Sequence, residues 1–238
     1  MNKFILFGTQ HLMMVASGFI ISFVLIIMGF FLDRKHFARF TALLVLIVKI
    51  VELCYRHIVN GEKLTQLLPL HLCNIALIFV IVMMLTCSKK LFQPCYYWSL
   101  GAVFALVTPD VTASFPNYVT ASFPNYVTLS FFITHFYIIF GVVYAYIFFN
   151  YRPTLFGYFS SFISLNVIAL IIYFINKELG TNYLFVNRVP EFTSPLSYFG
   201  EWPYYIVVVE LIYIILTYII YFPFRAKNVK YGRVNFDK

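Results

Sequence analysis

Ionisable and thiol side chains are scarce inside the apolar runs of this chain, and those present share a depth. Glu52, His71, Cys73, His135 and Glu210 each lie four to eight residues from the same end of their runs. His11 opens the first run, and Asp110 follows the fourth. At a helical rise of 1.5 Å per residue, most of them fall within about 12 Å of one surface. Ionisable groups in hydrocarbon are costly, so they gather around cavities or partners. The types point to three chemistries. A histidine beside a cysteine can generate a thiolate that attacks an ester carbonyl. In that arrangement His135 is the base, Glu52, Asp110 or Glu210 orients it, and Asn74 or His71 serves the oxyanion. Alternatively, His11, His71 and His135 with a carboxylate suit a catalytic zinc that keeps a position open for water. Glu52, Glu210 and His135 also suit a proton relay.

Plainer roles stand beside these. Glu52 has Lys49 at i−3 and Arg56 at i+4 and can pair along its own helix. His11 suits a membrane interface, Asp110 after Pro109 suits a turn, and Cys73 suits small-residue packing. His135, flanked by Phe132, Ile133, Phe136 and Ile138, has no solvent near it unless a cavity supplies it.

The elements that must position these groups follow from composition. Of 238 residues, 62% are hydrophobic and 11% charged. Soluble domains carry about 25% charged residues, so this chain has too little polar surface to cover a water-soluble globule. A spanning helix needs roughly 20 mainly apolar residues, and backbone groups in lipid must be satisfied within the segment. The expectation is an all-α membrane protein, a single transmembrane domain over 1–238. It should be a bundle of about seven helices at 11–32, 40–59, 67–86, 95–108, 127–149, 156–176 and 203–224. The fourth is short, and the loop after Pro109 is expected to complete its crossing. The first run is too long for a signal-peptide core and stays as a span. The four cysteines form no CxxC pair, which argues against a disulfide framework or a zinc finger.

The net charge of +8 reflects topology rather than nucleic-acid binding. Eleven Lys and Arg, from Arg34 and Lys35 through Lys89, Arg152 and the tail to Lys238, fall on one side. Lys3, Lys63, Lys177 and Arg188 fall on the other. The positive-inside rule places the N-terminus outside and the C-terminus in the cytoplasm. A Lys230→Cys variant should therefore resist a membrane-impermeant thiol reagent in intact cells; strong labelling would overturn the assignment. The octapeptide ASFPNYVT at 113–120 recurs unchanged at 121–128. So short a copy is a local duplication in a loop, not a solenoid.

Leu68-Pro69-Leu70-His71-Leu72-Cys73-Asn74, with Thr108-Pro109-Asp110 and Thr134-His135-Phe136, resembles the YwaF-type bacterial integral membrane proteins over nearly the whole chain. More distantly, the pattern is similar to eukaryotic transmembrane acyltransferases that remodel ether phospholipids, and to the androgen-induced threonine hydrolases of fatty-acid esters of hydroxy fatty acids. The ether-lipid enzymes begin one span with Pro-Cys-His and carry a histidine in a later span. Phe131-Phe132-Ile133-Thr134-His135 matches the later histidine, and Gly200-Glu201-Trp202 is similar to their Gly-Pro-Trp. Leu70 stands where they carry the nucleophilic cysteine, and Cys73 lies three residues on. On a continuous helix, His71 and Cys73 would point about 200° apart.

The resemblance implies acyl transfer or acyl-ester hydrolysis with His135, Cys73 and His71 at the centre and Glu52, Asn74, Asp110 and Glu210 around them. The expected setting is the cell membrane, with membrane lipids as partners, no nucleic acid and no cofactor. The zinc hydrolase, a proton-coupled transporter and a non-catalytic assembly protein remain alternatives.

Overall fold

The computed structural model describes residues 5–109, 125–190 and 195–225. Among them the chain forms eight α-helices: α1 (Thr9–Phe31), α2 (Arg34–Ile58), α3 (Leu64–Leu67), α4 (Leu72–Thr86), α5 (Lys89–Val107), α6 (Tyr126–Phe148), α7 (Leu155–Leu179) and α8 (Tyr204–Tyr221). Short 3-10 turns follow at Tyr183–Phe185, Pro195–Tyr198 and Phe222–Phe224. Asp110 and most of the octapeptide pair lie outside the described residues.

Among the described residues four helices are long and apolar enough to cross a membrane: α1, α6, α7, and α8 with its extension to Phe224. The exterior is apolar as well. Phe19, Ile20 and Phe23 on α1, Leu170 and Phe174 on α7, and Val207 and Ile215 on α8 are all exposed. A continuous apolar exterior of this kind matches lipid, not water. The chain is an integral membrane protein on these grounds.

α6 is the central helix, packed on α1, α2, α4 and α5. Small residues set the spacing, as in membrane bundles generally. A Cβ on Gly18 would lie 2.2 Å from the Phe136 ring, and one on Gly141 would lie 2.4 Å from Val80. Buried aromatic donors find backbone carbonyls on neighbouring segments, as hydroxyls and indoles in an apolar interior must. The Tyr144 hydroxyl donates to the Arg34 carbonyl at 2.8 Å, Tyr97 to Thr154 at 3.0 Å, and Tyr96 to Ile220 at 2.8 Å.

Three of the expected segments differ from the helices found, and the second starts at Arg34 rather than 40. The fourth begins at Lys89 rather than 95 and runs 19 residues through Pro94, about 28 Å at the helical rise. The loop expected to complete its crossing lies outside the described residues. Pro94 forfeits the one bond to the Lys90 carbonyl, and Lys90 is exposed near the helix start. The third is not one helix from 67 to 86. It breaks between α3 and α4, where Leu68 takes φ −58°, ψ 134° and His71 takes φ −75°, ψ 151°. The cause is Pro69, which drives the residue before it out of the helical region. The Leu68 N–H is satisfied by the Tyr183 hydroxyl at 3.1 Å, and the Leu70 N–H by the Leu68 carbonyl at 2.8 Å.

Candidate functional site

The broken backbone between α3 and α4 lines a cavity. This cavity of about 320 Å³ is bounded by α2, the α3–α4 break, α4, α5 and α6. Glu52, His71, Cys73, Asn74 and His135 all line it, together with Lys49, Arg56, Gln66, Thr134 and Phe185. The break corrects the helical-wheel argument for His71. Because His71 precedes α4 in extended backbone, it shares a cavity wall with Cys73 instead of facing away from it.

His135 is fixed by its own helix. Its Nδ1 lies 2.7 Å from the Phe131 carbonyl oxygen. A carbonyl only accepts, so Nδ1 carries the proton and Nε2 is the basic atom. The Phe131 ring lies over the imidazole, with centroids 4.0 Å apart. His71 is held by ring contacts to Tyr183 and Phe185, at 5.1 and 5.3 Å between centroids. Cys73 is a free thiol, and its sulfur would lie 3.9 Å from a Cβ on Gly101 of α5. Among the described residues no hydrogen bond joins Cys73 to His135.

Glu52 is buried and multiply paired. Its carboxylate accepts from Lys49 Nζ at 2.8 Å, Arg56 Nη1 at 3.3 Å and Ser130 Oγ at 2.8 Å. Arg56 also grips Glu62, through Nε at 2.8 Å and Nη2 at 2.7 Å. The pairing along α2 that the spacing suggested is therefore present, and it extends across to α6 and down into the 59–63 loop. Two cations and two carboxylates balance, which makes the cavity polar on one side without net charge.

Two predicted groups stand elsewhere. Glu210 lines a second cavity of about 340 Å³ and accepts from Asn166 Nδ2 at 3.2 Å. His11 is buried against α5 and does not line the first cavity. Its Nδ1 accepts from the Phe7 N–H at 3.1 Å, so its Nε2 donates to the Leu106 carbonyl at 2.9 Å. The triad proposed for zinc is thus not assembled, and among the described residues no group of three or more His, Cys, Asp or Glu is placed to hold a metal ion.

Several site residues escaped the sequence reading. Glu62 sits in a polar loop that gave no sign of burial. Ser130 carries no charge and drew no notice. Phe185 and Tyr183 reach the site from the segment after α7, which only tertiary structure brings near. Trp202 supports that segment by donating to the Val186 carbonyl at 2.9 Å.

The TMEM164 family model matches residues 6–221. The chain is 25% identical over 230 residues to an uncharacterised protein of Treponema pallidum (strain Nichols), covering 94% of this chain and 92% of that protein. No solved structure matches.

Proposed function

The chain belongs to the TMEM164 family, and we propose that it is a membrane enzyme that breaks or transfers acyl esters of lipids in the cavity between α2, α4 and α6. One observation carries this reading. A histidine whose tautomer leaves Nε2 basic lines the same cavity as a free thiol and a second histidine. The resemblance of the Leu68–Asn74 and Phe131–His135 stretches to ether-phospholipid acyltransferases and fatty-acid-ester hydrolases points the same way.

In the proposed cycle the Cys73 proton passes to His135 Nε2, relayed by water in the cavity because the two side chains are not hydrogen-bonded. The sulfur attacks the ester carbonyl carbon, and the C–O bond to the lipid alcohol breaks. The departing alkoxide takes the proton from the imidazolium. The thioester is then attacked by the hydroxyl of an acceptor lysolipid or by water, with His135 again taking the proton, and Cys73 is regenerated. Asn74 and His71 are the lining donors able to face the oxyanion. Seven crossings, by α1, α2, α4, α5, α6, α7 and α8, would place this cavity in the outer half of the bilayer.

Proton-coupled transport has less support, because Glu52 is saturated by three partners and is poorly suited to carry a proton. The test is the lipid profile of a deletion strain complemented with wild type or His135→Ala. The acyl composition of one ester-lipid class should shift on deletion and return with wild type only. An unchanged profile across all strains would sink the enzyme reading.

A further inference from the structure

The two cavities are not independent. His71, Cys73 and Phe185 line both of them. Both are walled mostly by apolar side chains, and their other walls differ in charge. The first carries Lys49, Glu52, Arg56 and Asn74. The second is walled by Leu165, Ala169, Ile206 and Val209, with Glu210 as its one charged group. We infer that the second cavity, between α4, α7 and α8, is the acyl-chain subsite, and that the ester carbon of the bound lipid lies at the shared wall beside Cys73. This rests on the acyl-ester reading above.

Polarity sorts the ligand. An ester lipid has a polar glycerol and headgroup at one end of the ester and a long apolar chain at the other. A cavity with two cations and a carboxylate on its wall beside one with a single carboxylate, the two sharing a thiol, matches that order, because burying alkyl groups is favourable by about 0.8 kcal/mol per CH₂ and the polar end needs partners where it is buried. The divider is built with care. Leu184 and Phe185 both have positive φ, 56° and 55°, a conformation costly for residues with side chains. Surrounding bonds hold them there. Asn176 bonds the backbone of Tyr183 on both sides, through Nδ2 to the carbonyl at 2.9 Å and Oδ1 from the N–H at 2.8 Å. The Tyr205 hydroxyl donates to the Phe185 carbonyl. Phe185 is thereby held where it lines both chambers.

The experiment uses the full chain in liposomes doped with a phosphatidylcholine whose sn-2 chain ends in a diazirine and an alkyne. After irradiation the adducts are mapped by peptide. Adducts should appear on Leu165, Ala169 or Val209 in wild type and in His135→Ala alike, since binding does not need the base. Ala169→Phe, which fills the chamber, should reduce them about tenfold or more, a loss of about 1.4 kcal/mol in binding. Adducts on the exposed α1 residues Phe19 and Phe23 should be unchanged and report that the protein is folded. If Ala169→Phe does not fold, Phe185→Ala serves instead; it should spread adducts into Leu53 and Val127 of the first cavity. Adducts confined to exposed helix faces in wild type, or unaffected by Ala169→Phe in folded protein, would overturn the subsite. Chamber adducts in a protein whose deletion leaves every lipid unchanged would support the subsite and overturn the enzyme reading instead.

Discussion

Arg56→Met is expected to destabilise the folded protein by about 3–5 kcal/mol, the cost of removing one partner from a buried ion pair. Arg56 joins two carboxylates that are themselves buried, Glu52 at 4% and Glu62 at 6% exposure, so solvent cannot take over its role. Methionine keeps much of the side-chain volume, so packing loss is a smaller part of the effect. The two carboxylates should not suffer equally. Glu52 retains Lys49 and Ser130, whereas the ion pair of Glu62 is with Arg56. Glu62→Gln on top of Arg56→Met should therefore recover part of the loss, because it removes the stranded charge. Thermal unfolding in detergent, followed by size-exclusion recovery, reads both. A single variant within about 0.5 kcal/mol of wild type would show that water reaches this network and that the cavity wall is wetter than its geometry suggests.

How much of this site could be read in the sequence depended on whether the cost of a residue was visible without its neighbours. Glu52 and His135 were legible because an ionisable group in an apolar run is expensive wherever it ends up. Lys49 and Arg56 were legible as partners of Glu52 through helical spacing. His71 was legible as a polar group but not in its relation to Cys73. That relation was drawn on a continuous helix, and the signal against continuity was present in Pro69, whose steric effect on Leu68 ends α3. The start of the fourth run was placed at 95, yet α5 begins at Lys89 and runs through Pro94, because a proline near a helix start removes a bond only at the exposed end. Glu62, Ser130 and Phe185 were not legible. Their roles come from contacts across the bundle, and nothing in a polar loop, a lone serine or an aromatic after a helix announces such a contact. The placement of Glu210 in a separate chamber was hidden for the same reason, since equal depth on two helices does not fix which sides face each other.

His135→Ala is expected to lower acyl-ester turnover by about 10²- to 10⁴-fold, the range supplied by a positioned general base, with little effect on folding. The imidazole bonds only to its own helix among the described residues, through the Phe131 carbonyl, so its loss breaks no link between helices. Cys73→Ala then separates the mechanisms. If the sulfur is the nucleophile, this variant should fall as far as His135→Ala, and the double variant should fall no further than either, because residues acting as one unit are not additive. A radiolabelled acyl chain should remain on wild-type protein after acid quenching, be released by neutral hydroxylamine, and be absent from Cys73→Ala. Cys73→Ala with full turnover, alongside an inactive His135→Ala, would remove the thioester and leave His135 activating water or the acceptor hydroxyl directly. The geometry makes this contest a fair one. His135 has its tautomer fixed and its basic nitrogen available, while Cys73 reaches it only across the cavity, so the base is the better-founded half of the mechanism and the nucleophile is the half that these two variants decide.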